Sequence, residues 1–213
     1  MTDSDNSRVL VLPDLSDLNF VDSNHTYWLN GVQIPSVSKL MEPLKASGYA
    51  GVSERTLQNA ADKGSAVHSC IENWLNYGVE DIGSTYRPYF DGFLEWHEKY
   101  QPQVISTEMQ IYHKFMLYGG TVDLLAYLRN EDGEDELSLI DYKTTYKLMD
   151  KSCGVQLEAY SQALASHGIR VDRKYILHLR KDGSWEFREY PAKDMKRLEV
   201  LRSLKCVYDY TVA

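Results

Sequence analysis

The first apolar pattern along the chain predicts a β-hairpin followed by a short helix. Residues 27–29 read YWL, residues 30–31 read NG and residues 32–34 read VQI. An Asn-Gly pair between two apolar runs is typical of a tight hairpin turn. The Pro-Ser pair at 35–36 indicates that a short helix begins there. Residues 1–24 show no such pattern, so we expect an irregular N-terminal arm.

Apolar residues next recur every three or four positions, which predicts two amphipathic helices at residues 53–77 and 85–100. Their aromatic residues Trp74, Trp96 and Tyr100 recur with the apolar faces. A place in the core of this helical roof is therefore favoured over a base-stacking surface for these three side chains.

The hydrophobic period then changes to that of strands. Strands are predicted at residues 103–113, 119–128, 136–143, 173–180 and 184–190, and helices at 153–167 and 191–208. This order predicts an α/β fold, with a mixed central sheet flanked by helices and a helical N-terminal roof. Residues 25–213 are expected to form one domain, with the hairpin and roof in 25–100 and the core in 101–213.

Composition narrows the classes of protein that the chain can belong to. The 213 residues carry a net charge of −8, which disfavours a large surface that coats nucleic acid through its phosphates. No apolar run approaches the roughly 20 residues that span a membrane, and the polar N-terminus shows no targeting signal. The three scattered cysteines offer no disulfide framework. We therefore expect a cytoplasmic protein without a membrane partner.

Charged residues end the apolar strand predicted at 136–143. Asp141 and Lys143 are two positions apart, so both side chains project from one face of the strand. Asp123 is an isolated acid in the preceding strand. Along the sequence, Asp123 and Asp141 are equally far from Asp132, which lies in the turn between the two strands. A hairpin that turns at Asp132 would place Asp123 beside Asp141, although a register shift of one residue is left open.

Two neighbouring carboxylates repel each other unless a cation lies between them. Mg²⁺ suits such a pair, because it prefers oxygen ligands and retains positions for water and phosphate. A lysine beside the cation can position the attacking water and offset charge on a phosphate. The alternative is a solvated strand end whose Asp141 and Lys143 form a surface ion pair.

Five segments in order resemble the motifs of a nuclease family. GTVD at 120–123, IDYKT at 140–144 and QLEAY at 156–160 are similar to successive motifs of the PD-(D/E)XK nucleases, in their RecB-like branch. GSAVH at 64–68 resembles the helix that supplies a histidine in that branch. IPSVS at 34–38 resembles a segment of phage-type and mitochondrial genome maintenance exonucleases. The resemblance implies a restriction-endonuclease-like core.

The resemblance also implies roles for individual residues. It assigns the catalytic positions to Asp123, Asp141 and Lys143, and the metal ligands to His68, Asp123, Asp141 and the Tyr142 carbonyl. Substrate-binding or supporting positions fall on Gln156, Tyr160, Ser36 and Glu108. Gln156 and Tyr160 share one helix face and can donate hydrogen bonds to phosphate oxygens.

Simpler alternatives stay open for several of these residues. His68 could form a surface pair with Glu72, which is one helical turn away. Gln156 and Tyr160 could belong to an ordinary half-buried helix face. The Ser36 hydroxyl could cap the short helix rather than hold a phosphate. Glu108 lies on the strand before Asp123, but the phase of that strand is not fixed by the sequence.

The site residues and the resemblance together predict a metal-dependent DNA nuclease that uses Mg²⁺, with Mn²⁺ as a substitute, on single-stranded or end-frayed DNA. That it is an exonuclease rather than an endonuclease is what the resemblance alone implies. The scattered cysteines cannot supply an iron–sulfur cluster, and the absence of a Walker A loop would leave strand separation to a partner. Such a partner would be a helicase, a single-strand-binding protein or a recombination protein. The alternatives are a non-catalytic nucleic-acid-binding or recombination subunit, and a structure-dependent endonuclease.

Overall fold

The structure, a computed structural model, describes residues 10–46 and 51–212. Three short strands come first, followed by four helices, three strands, one helix, two strands and a last helix. The strands are β1 (Leu18–Val21), β2 (Thr26–Leu29), β3 (Val32–Ile34), β4 (Gln103–Tyr112), β5 (Gly119–Arg129), β6 (Asp135–Lys143), β7 (Arg173–Leu179) and β8 (Trp185–Tyr190). The helices are α1 (Val37–Leu40), α2 (Glu42–Ala46), α3 (Glu54–Tyr77), α4 (Arg87–Tyr100), α5 (Asp150–Ser166) and α6 (Met195–Val212).

The N-terminal hairpin forms as the Asn-Gly signal predicts. Asn30 and Gly31 have φ angles of 50° and 81°, as a two-residue turn of this hand requires. Strands β2 and β3 pair antiparallel on either side of the turn. The Ser36 hydroxyl accepts a hydrogen bond of 3.0 Å from the Lys39 amide, so it caps α1.

The prediction of an irregular arm over residues 1–24 is wrong for its last part. β1 adds a third antiparallel strand to the hairpin, and a 3-10 turn at Asp22–Asn24 connects β1 to β2. β1 has only four residues, and its sequence does not indicate a strand. It becomes a strand because it pairs with β2 of the hairpin. Residues 1–9 of the predicted arm lie outside the described residues.

Helices α3 and α4 form the roof. The Ser53 hydroxyl caps α3, which runs unbroken through Gly64 to a left-handed Gly78. Phe90 and Phe93 of α4 are buried, and Trp74 meets Phe93 edge to face at 5.8 Å. The remaining roof aromatics, Trp96 and Tyr100, stack on each other in the same cluster. The core assignment of these aromatics is therefore confirmed.

The central sheet has five strands in the order β4-β5-β6-β7-β8. Only the β6–β7 pair is parallel, so the sheet is mixed. The roof helices pack on one face of this sheet, and α1, α5 and α6 pack on the other. The predicted fold class, a restriction-endonuclease-like α/β core with a helical roof, is confirmed. None of the helices in residues 10–46 and 51–212 is long and apolar enough to cross a membrane.

Helix α6 begins four residues later than the predicted start at 191. Residues 191–194 lie outside the helix, and Asp194 supplies the N-terminal cap. The Asp194 carboxylate accepts a hydrogen bond of 3.0 Å from the Arg197 amide. An acid that accepts a hydrogen bond from an amide of the first turn defines the start of a helix more sharply than apolar spacing does.

One irregularity in the sheet shapes the site. Val122 and Leu125 of β5 belong to the apolar cluster beneath α5, whereas Leu124 belongs to the roof cluster. Side chains three positions apart cannot share a face of a regular strand. The strand therefore changes phase at Asp123. Glu108 on the neighbouring β4 has a φ of +46°, which interrupts the regular backbone at the same level.

Candidate active site

Asp123 lies where the β5–β6 ladder ends. The last regular pair is Leu124 with Ile140, and the next positions on the two strands are Asp123 and Asp141. The turn is centred on Asp132, so the predicted register is confirmed. The Asp123 carboxylate accepts a hydrogen bond of 2.7 Å from the Tyr142 amide. A side chain thus takes the place of a backbone acceptor, and the strands separate beyond this point.

Glu108 is directed towards Asp123 by the irregularity in β4. The flanking residues Thr107 and Met109 pair regularly with β5, and the Thr107 hydroxyl donates a hydrogen bond of 3.1 Å to the Asp123 carbonyl. A non-glycine residue in the left-handed region is uncommon and is typical of functional sites. The turned backbone brings a third carboxylate to the end of the ladder.

His68 reaches this group of acids from the roof helix α3. Its Nδ1 atom lies 3.3 Å from Oε1 of Glu108 and 3.7 Å from Oδ1 of Asp123. One candidate ligand atom from each of the three residues lies within 4.8 Å of the other two. The His68 ring also packs against the Tyr142 ring at 5.5 Å, nearly perpendicular to it. The roof helix and the sheet therefore both contribute ligands to one potential metal site.

The charges of this group shift the pKa values of its members. Burial lowers the pKa of His68, but the facing carboxylates of Asp123 and Glu108 outweigh that effect and raise the pKa to about 9. Burial raises the pKa of Asp123, and the nearby charges of Asp141 and Glu108 raise it further, against the opposing effect of His68. Crowded carboxylates of this kind favour a bound cation.

Asp141 and Lys143 form an ion pair beside the His68 group. The Lys143 ammonium lies 2.5 Å from Oδ2 of Asp141, whose side chain is only 1% exposed. Oδ1 of Asp141 receives no hydrogen bond from the described residues, although it is fully buried. Burial lowers the pKa of Lys143, but the charges of Asp141 and Asp123 raise it more, so the ammonium stays protonated.

A cavity of about 420 Å³ opens above these residues. Its walls are helix α3, the exposed end of the β5–β6 ladder, helix α5 and the N-terminal hairpin. It is lined by the predicted side chains of Ser36, His68, Glu108, Asp123, Asp141, Lys143, Gln156 and Tyr160. The Tyr142 side chain is instead buried in the roof cluster, while the role assigned to its carbonyl stays a prediction.

The sequence of this chain matches that of a known protein family. The model of the PD-(D/E)XK nuclease superfamily matches residues 54–206, which include the histidine, the acids and the lysine of the cavity. The chain belongs to the PD-(D/E)XK nuclease superfamily. It is therefore a nuclease, as the resemblance of its motifs implies. No curated protein sequence matches this nuclease significantly.

Solved structures that align with this nuclease at TM-scores below 0.5 include two of LHK-Exo and one of SSO0001. LHK-Exo in complex with dAMP aligns at a TM-score of 0.44 with 11% identity, over 84% of this nuclease and 87% of that chain. The alkaline exonuclease LHK-Exo from Laribacter hongkongensis aligns at 0.40 with 11% identity, over 68% and 76% of the two chains. A structure of SSO0001 aligns at 0.32 with 12% identity, over 83% and 85%.

Gln156 and Tyr160 lie on the wall that α5 contributes. The Gln156 amide donates a hydrogen bond of 3.0 Å to the Tyr160 hydroxyl, and both side chains are largely buried while still lining the cavity. A Cβ atom at Gly120 would lie 2.6 Å from the Tyr160 ring. Glycine is therefore needed at position 120 so that the Tyr160 ring can approach the backbone of β5.

Glu108 has a different place in this nuclease from the one that sequence reasoning gave it. The sequence left Glu108 in a supporting position, whereas the structure includes it in the candidate ligand group with His68 and Asp123. Asp141, an expected metal ligand, lies outside that group and pairs with Lys143. The sequence does not fix the face of β4 on which Glu108 lies, so it could not distinguish a supporting position from a ligand position. The left-handed backbone of Glu108 is not indicated by its residue type either.

Several cavity residues were not found by sequence reasoning. The hairpin wall contributes Phe20, Asp22, His25 and Tyr27, and the remaining walls add Thr121, Gln110, Glu72, Ser65 and Ser69. Glu72 had a usable signal, because it follows His68 by one helical turn and so shares its face. The hairpin residues gave no such signal in the sequence, since their approach to the site depends on long-range packing.

The donor set of the cavity fits a divalent cation. It combines one imidazole with carboxylate oxygens, which are the ligands that Mg²⁺ and Mn²⁺ accept. A cation would also offset the repulsion that raises the pKa of Asp123 and would satisfy the free oxygen of Asp141. The residues available to hold it are His68, Glu108, Asp123 and Asp141.

Proposed function

We propose that this nuclease is a metal-dependent exonuclease that hydrolyses phosphodiester bonds of single-stranded or end-frayed DNA, with Mg²⁺ as its cofactor and Mn²⁺ as a substitute. The observation that carries the proposal is the convergence of His68, Glu108 and Asp123 beside the Asp141–Lys143 pair in one cavity. A module that only bound nucleic acid would not require these charges to be buried together.

The side chains of the cavity have separate roles in the proposed reaction. A bound divalent cation would stabilise negative charge on the scissile phosphate as a Lewis acid. Lys143 lines the cavity beside Asp141, where it can donate hydrogen bonds to the attacking water and the phosphate. Gln156 and Tyr160 offer donors to phosphate oxygens from helix α5.

The shape of the cavity supports a single strand as the substrate. His68 lies on the roof while Asp123 and Asp141 lie on the sheet, so the substrate must enter between these two layers. The cavity between these layers has a volume of about 420 Å³, in the range of sites for small ligands, which favours a single strand over a duplex. A strand that enters by its end is degraded stepwise, whereas a closed circle cannot thread through.

Linear and circular single-stranded DNA of one sequence test this proposal. With Mg²⁺ or Mn²⁺ the protein should degrade the linear form and leave the circle largely intact, and EDTA should stop the reaction. Lys143→Ala should be inactive, and the matched control Lys147→Ala, at an exposed position four residues later, should be active. Equal cleavage of the circle would indicate an endonuclease. No cleavage of either form would favour the non-catalytic binding subunit.

A further inference from the structure

Two aromatic rings of the N-terminal hairpin line the cavity that also contains Lys143. Phe20 and His25 both line the cavity, with ring centroids 5.0 Å apart and ring planes at 85° to each other. His25 is exposed and Phe20 is half-buried. Two rings at a right angle form a corner in the cavity wall, and we call Phe20 and His25 the aromatic corner.

The aromatic corner is fixed to the catalytic strand. Tyr27 lies behind Phe20 at a ring distance of 4.8 Å, and its hydroxyl bonds the Thr121 hydroxyl at 2.8 Å. A Cβ atom at Gly119 would lie 2.6 Å from the Tyr27 ring, so the ring packs directly on the β5 backbone. Thr121 precedes Asp123 by two residues. The corner is therefore held at a defined position relative to the metal-binding acids.

The charge of this wall favours a base over a phosphate. Asp22 lines the cavity next to the aromatic corner and repels phosphate oxygens. Lys143, whose charge attracts phosphate, lines the same cavity, as do the residues that could hold a cation there. Aromatic rings stack on nucleobases of any sequence, because every base presents a π face. A strand with its phosphate at Lys143 would turn a base towards the hairpin.

The roof aromatics do not compete for this role. Trp74, Trp96 and Tyr100 pack in the apolar cluster between the roof helices and the sheet, away from the cavity. Among the described residues that line the cavity, the aromatic side chains are Phe20, His25, Tyr27, His68 and Tyr160. His68 belongs to the candidate ligand group, and Tyr27 and Tyr160 are buried.

We propose that the aromatic corner is a stacking subsite for the nucleobase adjacent to the scissile phosphate. This inference rests on the proposed function, since it assigns the base-binding part of the same cavity. The subsite contributes through base stacking, without reading base identity. It positions the strand and takes no part in the chemical step.

Variants of Phe20 separate stacking from folding. Phe20→Leu retains an apolar side chain for hairpin packing but removes the π face, and Phe20→Trp restores one. Trp28→Leu is the matched control, because Trp28 lies on the same hairpin but does not line the cavity. The substrates are an oligodeoxythymidylate of about 12 nucleotides and the same strand with abasic residues at its terminal positions.

We expect Phe20→Leu to lower kcat/KM on the oligodeoxythymidylate by about tenfold, mainly through KM, with no effect on the abasic strand. Phe20→Trp should restore the wild-type value, and Trp28→Leu should behave as wild type on both substrates. An equal loss on both substrates, or none on either, would overturn the proposal, because the effect would then not depend on a base.

A binding measurement separates this inference from the proposed function. An oligodeoxythymidylate with 2-aminopurine near its end should lose fluorescence on binding wild type in EDTA, and lose less on binding Phe20→Leu. Equal quenching by the two proteins would refute the stacking subsite even if cleavage is normal. Base-dependent quenching without any cleavage by wild type would refute the exonuclease and leave the stacking subsite standing.

Discussion

Two lysine–carboxylate pairs are attached to the central sheet, and they differ in what surrounds them. Lys174 of β7 and Glu158 of α5 lie 2.5 Å apart, and both side chains are at most 3% exposed. Lys143 and Asp141 of β6 also lie 2.5 Å apart, but Lys143 is 20% exposed and lines the cavity. We call the first the sealed pair and the second the open pair.

The sealed pair has satisfied polar groups, whereas the open pair does not. Gln162 donates a hydrogen bond of 2.8 Å to the second carboxylate oxygen of Glu158. Oδ1 of Asp141 has no such donor among the described residues, and Asp123 adds a like charge beside it. A buried ion pair by itself is therefore no sign of a catalytic site. An unsatisfied oxygen and a crowded neighbour next to a cavity are the informative features.

The largest expected effect is on catalysis at the open pair. Lys143→Ala and Asp141→Asn should each lower kcat by about 10²–10³-fold or more, since each removes a charge that acts on the scissile phosphate. The loss should be measured with end-labelled single-stranded DNA and Mg²⁺. Lys147→Ala is the control for a lysine removed nearby. Near wild-type turnover by either site variant, with an unchanged melting curve, would show that the assigned site is wrong.

The same kind of substitution in the sealed pair should affect folding instead. Lys174→Met leaves the Glu158 carboxylate buried without its partner, which costs about 3–5 kcal/mol of unfolding free energy. The double variant Lys174→Met, Glu158→Leu should recover most of that loss, because no charge stays buried. Urea denaturation measures both values.

Cleavage by the folded fraction of Lys174→Met should match wild type. Loss of cleavage without loss of stability would show that the sealed pair acts in the reaction and would remove the contrast between the two pairs.

The sequence predicts the surroundings of the open pair better than those of the sealed pair. The position of Asp123 opposite Asp141 follows from a short hairpin whose polar turn is centred on Asp132, so local turn chemistry was sufficient. The pairing of Lys174 with Glu158 joins a strand to a helix in the interior. No pattern in the sequence indicates such a contact, because each residue alone is typical of an exposed surface.

Other parts of the site could not be predicted because they depend on backbone detail or on long-range packing. The φ of +46° at Glu108 moves its side chain into the candidate ligand group, and glutamate does not by its type favour that conformation. Phe20 and His25 reach the cavity only because a four-residue strand pairs with the hairpin. Motif spacing is informative about residues on one strand or helix, and less so about walls built from separate elements.

Divalent metal should stabilise the open pair and its neighbours. At a Mg²⁺ or Mn²⁺ concentration of about 100 times Kd, the free energy of unfolding should rise by about 2.7 kcal/mol. Asp123→Asn should show a much smaller rise, because it removes one candidate ligand charge while keeping an acceptor for the Tyr142 amide. The double variant of the sealed pair should show the full rise. Equal shifts for wild type and Asp123→Asn in a thermal melt would exclude Asp123 from the metal site.

The smallest effect separates two glutamines on α5, one beside each pair. Gln162 bonds Glu158 in the sealed pair, and Gln156 bonds the Tyr160 hydroxyl in the cavity wall. Gln162→Ala should lower the free energy of unfolding by about 1 kcal/mol without changing KM, because it removes one structural hydrogen bond. Gln156→Ala should raise KM for single-stranded DNA several-fold, by about the same free energy.

Steady-state cleavage and urea denaturation of both glutamine variants give the four values that decide this prediction. The two residues share a helix, a residue type and a similar hydrogen bond, so a difference between the variants must come from what each side chain faces. If Gln156→Ala changed stability alone, the Gln156–Tyr160 pair would be an ordinary helix face. The substrate contact on that wall would then have to come from another residue.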